Sequence, residues 1–135
     1  ASARKWHRIL CEQYDLKSIG VIITDSHLLP MRWGVVDIAI GFWGVNPLRD
    51  YRGESDLFGY IFQVSQANLV DSIASAAGWI MGQETEQIPV VIARHWPNVQ
   101  FNSAKDYRKK FYIAPEDDVY SSVLKVIKKK DGVFW

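Results

Sequence analysis

Thr24-Asp25-Ser26-His27-Leu28-Leu29-Pro30-Met31-Arg32-Trp33-Gly34 runs into Val35-Val36-Asp37-Ile38-Ala39-Ile40-Gly41. Past Gly44 it continues as Pro47-Leu48-Arg49-Asp50-Tyr51-Arg52-Gly53-Glu54-Ser55-Asp56-Leu57-Phe58-Gly59. The apolar run Ile19-Gly20-Val21-Ile22-Ile23 in front of it predicts a buried strand over residues 19–24. That strand delivers Asp25 and Ser26 to its end, a common place for ligand and metal groups in α/β and α+β folds. Val35 to Trp43 alternates, with Val36, Ile38, Ile40 and Phe42 on one face and Val35, Asp37, Ala39, Gly41 and Trp43 on the other. The loop between Gly44 and Gly59 concentrates Arg49, Asp50, Arg52, Glu54 and Asp56. Such a density of charge suggests a site rather than a plain turn.

Working outward, Ser2 caps a predicted helix to about Tyr14, with Trp6, Ile9, Leu10 and Gln13 or Tyr14 on one face and Arg4, Lys5 and Arg8 on the other. Leu57 to Val64 reads as another strand, and Ser65 as the cap of a helix turning Leu69, Val70, Ile73, Ala76, Ala77 and Ile80 inward. Gly82 ends that helix, and the polar Gln83–Gln87 leads into a predicted strand from Ile88 to Arg94. His95 to Tyr112 reads as loop with some helix. A last helix starts at Pro115, with Glu116, Asp117 and Asp118 in its first turn and Lys128, Lys129 and Lys130 in its last, before Gly132. Val119, Tyr120, Val123, Leu124 and Ile127 are its predicted buried stripe.

The 135 residues make one domain's worth of chain, with 48% apolar and 23% charged residues, as in an ordinary globular protein. A net charge of +1 offers no global reason to expect a nucleic-acid partner, and dipole complementarity accounts for the three lysines without a phosphate. Cys11 is the only cysteine, which excludes an intrachain disulfide and a cysteine-based zinc site. There is no apolar run of transmembrane length and no signal-peptide pattern, so the expectation is a cytoplasmic protein with no membrane partner.

No phosphate loop, GxGxxG fingerprint, nucleophile elbow or HExxH motif is present, and His7, His27 and His95 each stand alone. The chemistry of the remaining polar groups favours an oxygen-rich site for Mg2+ or Mn2+. Asp25, Ser26 and the amide of Gln83 offer the carboxylate, hydroxyl and carbonyl oxygens such hard cations prefer. Each also has a plain structural role, as turn former, its partner and helix-end residue.

The order Ile-Ile-Thr-Asp-Ser (22–26), Pro-Met-Arg-Trp-Gly (30–34), Val-Asp-Ile-Ala-Ile-Gly (36–41), Pro-Leu-Arg-Asp-Tyr-Arg-Gly (47–53), Asp-Leu-Phe-Gly (56–59) and Trp-Ile-Met-Gly-Gln (79–83) resembles the coenzyme F420-0:γ-glutamyl ligase family, from about Ser2 to Arg94. That family is understood to activate a carboxylate with GTP as an acyl phosphate, which the amine of L-glutamate then displaces. Some of its bacterial relatives are thought to act on folates. The resemblance implies an α+β fold with a mixed β-sheet flanked by helices. Residues 1–135 would form a single domain, the C-terminal portion of a longer ligase, inactive or nearly so alone.

It further implies a divalent-metal site at Asp25 and Ser26, with Gln83 as a third ligand, and a nucleotide-binding segment over Met81, Gly82, Gln83, Glu84, Thr85, Glu86, Gln87 and Ile88. The implied partners are GTP, L-glutamate, a pterin- or deazaflavin-like carboxylate substrate and a second copy of the chain in a homodimer. Arg32, Arg49 and Arg52 suit phosphate or substrate carboxylates. Internal salt bridges with Asp37, Asp50 or Asp56 suit them equally. No residue stands out as a catalytic base. The family's serine-aspartate-threonine appears here as Thr24-Asp25-Ser26, and His27-Leu28-Leu29 replaces its Phe-Gly-Arg-like run. This departure and the aromatic content support a rival expectation, a diverged binding or dimerisation module without turnover.

Overall fold

The computed structural model describes residues 2–122. Its elements are α1 (Ser2–Tyr14), β1 (Val21–Leu28), β2 (Val35–Trp43), β3 (Leu48–Asp50), β4 (Gln66–Asn68), α2 (Leu69–Met81) and the short α3 (Arg108–Phe111). The α+β class stands, and both strand pairs among the described residues, β1 with β2 and β3 with β4, are antiparallel. No helix among the described residues is long and apolar enough to cross a membrane.

The β1–β2 hairpin is the platform. Thr24 to Leu28 pair residue for residue with Ala39 to Val35, but Ile23 pairs with Gly41, so Ile40 is an extra residue, a bulge. One added residue reverses the side-chain phase, and Phe42 is therefore buried with Asp37 and Ala39 rather than sharing a face with Ile38 and Ile40. The uniform alternation expected from the sequence fails there. β1 also runs past residue 24, so Asp25 and Ser26 lie within the strand and not at its end.

α2 packs on the face of β2 that carries the small and polar residues. The Asp71 carboxylate accepts the Ala39 N–H at 2.8 Å, and the Ser75 hydroxyl donates to the Asp37 carbonyl at 2.8 Å. So close an approach selects Val70, Ala74 and Gly78 as the helix's buried ridge and turns Trp79 and Ile80 outward, where a stripe ending in Ile80 was expected. Asn68 caps α2, its side-chain oxygen accepting the Asp71 N–H at 3.1 Å, because Gln66–Asn68 is drawn into a strand and the expected cap at Ser65 falls outside the helix. On α1, Ala3 is buried and His7, Leu10 and Cys11 are half-buried, while Trp6 and Tyr14 are exposed. The ring of His7 lies directly against Gly44, which makes this lone histidine a packing residue.

The core is Ala39, Phe42, Val45, Leu69, Val70 and Ala74, closed by Trp96, Val99, Tyr107 and Phe111. These last four come from the segment for which the sequence suggested only loop with some helix. It folds back on the chain through a Val45–Phe101 bridge, the Asn46 N–H to the Gln100 carbonyl and the Asn102 N–H to the Gly44 carbonyl, both at 2.9 Å. Burying four large side chains drives it there.

Two expected strands do not form. Asp56 accepts the N–H groups of Phe58 and Tyr60, at 2.8 and 2.9 Å, and this local turn competes successfully with an extended conformation over residues 57–64. Ile88 to Arg94 has no ladder partner among the described residues, and Val90 and Ile92 are exposed. The expected start of the last helix also moves. Pro115 to Asp117 form a turn, the Asp118 carboxylate accepts the Tyr120 N–H at 2.9 Å, and helical residues begin at Ser121, leaving Val119 and Tyr120 exposed. Val123, Leu124, Ile127, Lys128 to Lys130 and Gly132 lie outside the described residues.

Candidate functional site

Successive residues of a strand project to opposite faces, while residues paired across an antiparallel ladder project to the same one. Ser26 is paired with Asp37, and Asp25 with Ile38. Ser26 and Asp37 therefore share the face that α2 covers, and Asp25 looks out from the other. Asp25 is exposed, and its carboxylate accepts the N–H of Ser26 at 2.9 Å. His27, also exposed, follows on the same face as Asp25.

Asp37 is the one buried charged residue of the described chain, at 8% exposure. Its carboxylate occupies the space a side chain would take at Gly78, where any added Cβ would overlap it. Glycine within a helix costs about 1 kcal/mol relative to alanine, and here it makes room for a carboxylate. Among the described residues no hydrogen-bond donor and no cationic group reaches the Asp37 side-chain oxygens.

Beyond Gly78, α2 ends at Met81, and Gly82 breaks it with φ 75°, a conformation that favours glycine. Gln83 to Ile88 then turn back on themselves. The Glu86 carboxylate accepts the Glu84 N–H at 3.0 Å. Its pKa is lowered by that bond and by the N–H groups of Glu86 and Thr85. Backbone N–H groups gathered around one carboxylate, with Glu84 bonded to it, resemble the start of an anion-binding nest. Gln83, Glu84, Thr85 and Gln87 are exposed around it.

The arginines divide. Arg52 grips Asp50 through Nε and Nη2, at 2.9 and 2.6 Å, and holds the Asp50 carboxyl well below the usual range. Arg49 pairs with Glu54 at 2.8 Å and stacks over Tyr51 at 4.8 Å. Arg32 is exposed in the β1–β2 connection, where its N–H bonds the Leu29 carbonyl at 3.3 Å. The salt-bridge account holds for Arg52 with Asp50, whereas Asp37 and Asp56 take no arginine among the described residues. Arg49, Asp50 and Lys110 also line a polar cavity of about 180 Å³ with Asn46, Asn98 and Gln100.

The structure thus brings Ser26 and the α2 terminus to one face of the hairpin, and Asp25 to the other. No three His, Cys, Asp or Glu side chains cluster in metal-holding positions among the described residues. Sequence reasoning set Glu86 in the implied nucleotide segment and Asp37 on the face away from the larger aliphatics, but foresaw neither the Glu84 N–H on Glu86 nor the burial of Asp37 against Gly78. The signal for Asp37 was a charge on a strand face otherwise free of it, and for Glu86 a glutamate four residues past a helix-ending glycine.

The profile of the F420-0:Gamma-glutamyl ligase family matches residues 1–95. Over 109 residues the chain is 40% identical to the coenzyme F420:L-glutamate ligase of Methanococcus maripaludis strain C7, covering 81% of this chain and 43% of that protein. With the coenzyme F420:L-glutamate ligase of Methanocaldococcus jannaschii it shares 45% identity over 94 residues, 70% of this chain and 37% of the relative. For the protein of that name from Methanopyrus kandleri the figures are 46% over 93 residues, 69% and 36%. The matched region spans less than half the length of these relatives.

Proposed function

Because the chain belongs to the F420-0:γ-glutamyl ligase family, we propose that it is part of a ligase that joins L-glutamate to a carboxylate of F420-0 or of a folate-like acceptor, using GTP and Mg2+ or Mn2+. The nest at Glu84 to Glu86 carries the nucleotide part of this reading. Backbone N–H groups that hold a carboxylate present the donors a phosphate oxygen needs, and release of the Glu86 side chain frees them.

The residues present fit a hard cation on the grounds of their donor chemistry. Ser26 and Gln83 offer neutral oxygens and Asp25, on the opposite face of the hairpin, an ionised one, donor types that Mg2+ and Mn2+ prefer. When bound, GTP and the cation would supply the activating phosphoryl group and the positive charge that offsets its negative oxygens. The chain's own contribution is to hold and orient. The Glu84 N–H would hold one anionic group, Gln83 lies beside it in the chain, and the β1–β2 ladder holds Ser26 opposite Asp37.

The test is an assay for GTP-dependent attachment of L-glutamate to F420-0 by the protein carrying this chain, with product mass as the readout. Gln83→Ala and Asp25→Ala should each lower the rate on the order of 100-fold, equivalent to a few kcal/mol of lost charge stabilisation. No glutamyl product with either F420-0 or a folate acceptor would sink the reading.

A second reading, a binding or homodimerisation module, draws support from the apolar tip of the hairpin. Met31 and Trp33 are fully exposed there, next to exposed Leu28 and Leu29. Large apolar side chains gathered in this way mark interaction surfaces. Sedimentation of the wild type beside Trp33→Ser would show self-association that the substitution weakens.

A further inference from the structure

We propose that the cavity between β3 and the 98–110 segment binds the carboxylate of a ligand of amino-acid size, with Lys110, Asn98 and Gln100 as its donors. Naming L-glutamate as the occupant rests on the ligase reading above, whereas the preference for a carboxylate rests on the cavity alone.

The walls are fixed by the chain itself. On one side Leu48–Asp50 pairs with Gln66–Asn68, behind the fully buried Pro47. The other side is tied to it: the Asn46 N–H donates to the Gln100 carbonyl at 2.9 Å, the Asn46 side-chain amide donates to the Gln100 Oε1 at 3.2 Å, and Val45 bridges Phe101. Asn98 turns the connecting loop with φ 61°, a left-handed conformation that asparagine tolerates. Phe111, next to Lys110, is anchored on Phe42 and so holds α3 beside the opening. A site whose walls stand ready before the ligand arrives loses less entropy on binding.

The lining groups differ in what they have left to offer. Asn46 is engaged on both sides, its Nδ2 by Gln100 and its Oδ1 by the Leu48 N–H. Because the Gln100 Oε1 is taken, the Nε2 of that residue is left to donate. Asn98 lines the cavity with a second primary amide. Arg49 is matched by Glu54 and Asp50 by Arg52, but Lys110 has no carboxylate partner among the described residues. The cavity therefore presents one unmatched cation and two amide donors.

That set suits a carboxylate. It brings a single negative charge and two acceptor oxygens, one for a charge-assisted bond from Lys110 and the rest for the amides. A phosphate group brings up to two charges to the one unmatched cation. Size restricts the ligand further. The cavity measures about 180 Å³, against about 150 Å³ for a cavity that takes benzene, while pockets for larger ligands begin near 300 Å³. A free amino acid is of the right order and a nucleotide is too large. Asn98, Gln100 and Lys110 lie beyond the residues that the family profile matches, so the pocket joins the motif residues Arg49 and Asp50 to side chains the profile does not reach.

The experiment is titration of sodium L-glutamate into the 15N-labelled 135-residue chain, without nucleotide or divalent cation, with the side-chain amide shifts of Asn98 and Gln100 as the readout. Saturable shifts of both are expected. Lys110→Gln should weaken the affinity about 10-fold, the effect of losing one hydrogen bond from a charged group, and Lys110→Arg should restore most of it. Glutaramide, which has no carboxylate, should shift neither amide. The absence of saturable shifts overturns the proposal, as does equal affinity in Lys110→Gln, or inorganic phosphate saturating the same amides at lower concentration than L-glutamate. Circular dichroism checks the fold. If Lys110→Gln does not fold, Gln100→Glu decides instead: it keeps an acceptor for Asn46 but puts a negative charge where the donor was, so the Asn98 shift should vanish, and its persistence refutes the site. No turnover is measured, so a working ligase without these shifts would discard the pocket alone. Lys110-dependent shifts beside a failed ligase assay would discard the ligase reading alone.

Discussion

The ring of Phe111 meets the ring of Phe42 edge to face, with centroids 5.1 Å apart and planes at 74°. Phe42 belongs to the family-matched stretch, residues 1–95, and Phe111 lies beyond it. A segment beyond the residues that the family profile matches therefore completes the core beneath the candidate site.

Phe111→Ala should destabilise the chain by about 2 kcal/mol, less than for a fully buried phenylalanine because Phe111 is half-buried. Urea denaturation followed by tryptophan fluorescence would measure it. An unchanged midpoint would mean that residues 96–111 do not support the core.

Gly78→Ala would drive a methyl group into the Asp37 carboxylate. Overpacking of this kind costs about 1 to 3 kcal/mol, which outweighs the roughly 1 kcal/mol of helix propensity that alanine gains. The double substitution Asp37→Ala, Gly78→Ala should recover most of the loss. A double-mutant cycle that shows plain additivity would contradict the contact.

Glu86→Gln should raise the affinity of the chain for inorganic phosphate several-fold, because the nest at Glu84 to Glu86 loses its internal carboxylate. Calorimetric titration of phosphate and of GDP checks it. Equal or weaker binding by the variant would remove the main support for nucleotide binding at residues 81–88.

Acid should act on the arginine-held carboxylates in a defined window. Asp106 is lowered from 3.8 to about 2 by hydrogen bonds from the Arg108 side chain and N–H. A folded-state value below the unfolded one means that the pair's contribution is present above about pH 4 and is lost as the pH falls toward 2. Both groups are largely solvated, so the effect on global stability should be slight. Carboxyl carbon shifts followed by NMR should show Asp106 titrating near pH 2, and near its ordinary value in Arg108→Ala. No difference between the two would refute the pairing in solution.

Much of this architecture was readable before any coordinates. The 3.6-residue periodicity of Ser2–Tyr14 and Leu69–Met81 and the β-branched run before Asp25 mark elements whose pattern is carried by adjacent residues. The motifs at Thr24, Val36 and Asp50 carry the family likeness in the same local way, and the family match agrees with them.

Other features depended on partners distant in sequence. Apolar residues 57–64 and 88–94 suit strands, yet Asp56 captures the first segment in a local turn and the second has no ladder partner among the described residues. A strand needs a neighbour, and composition does not provide one.

By itself the sequence determined the family, the α+β class, the two long helices and the two long strands, because short-range patterns of polarity and conformation encode them. Only the tertiary structure decided that Ile40 would bulge, that the small-residue face of β2 would meet α2, and that Ser26 would stand with Asp37 while Asp25 turned away. Those outcomes turn on ladder register and on how closely a helix can approach a sheet. Both are properties of pairs of segments, and neither is a property of any one residue.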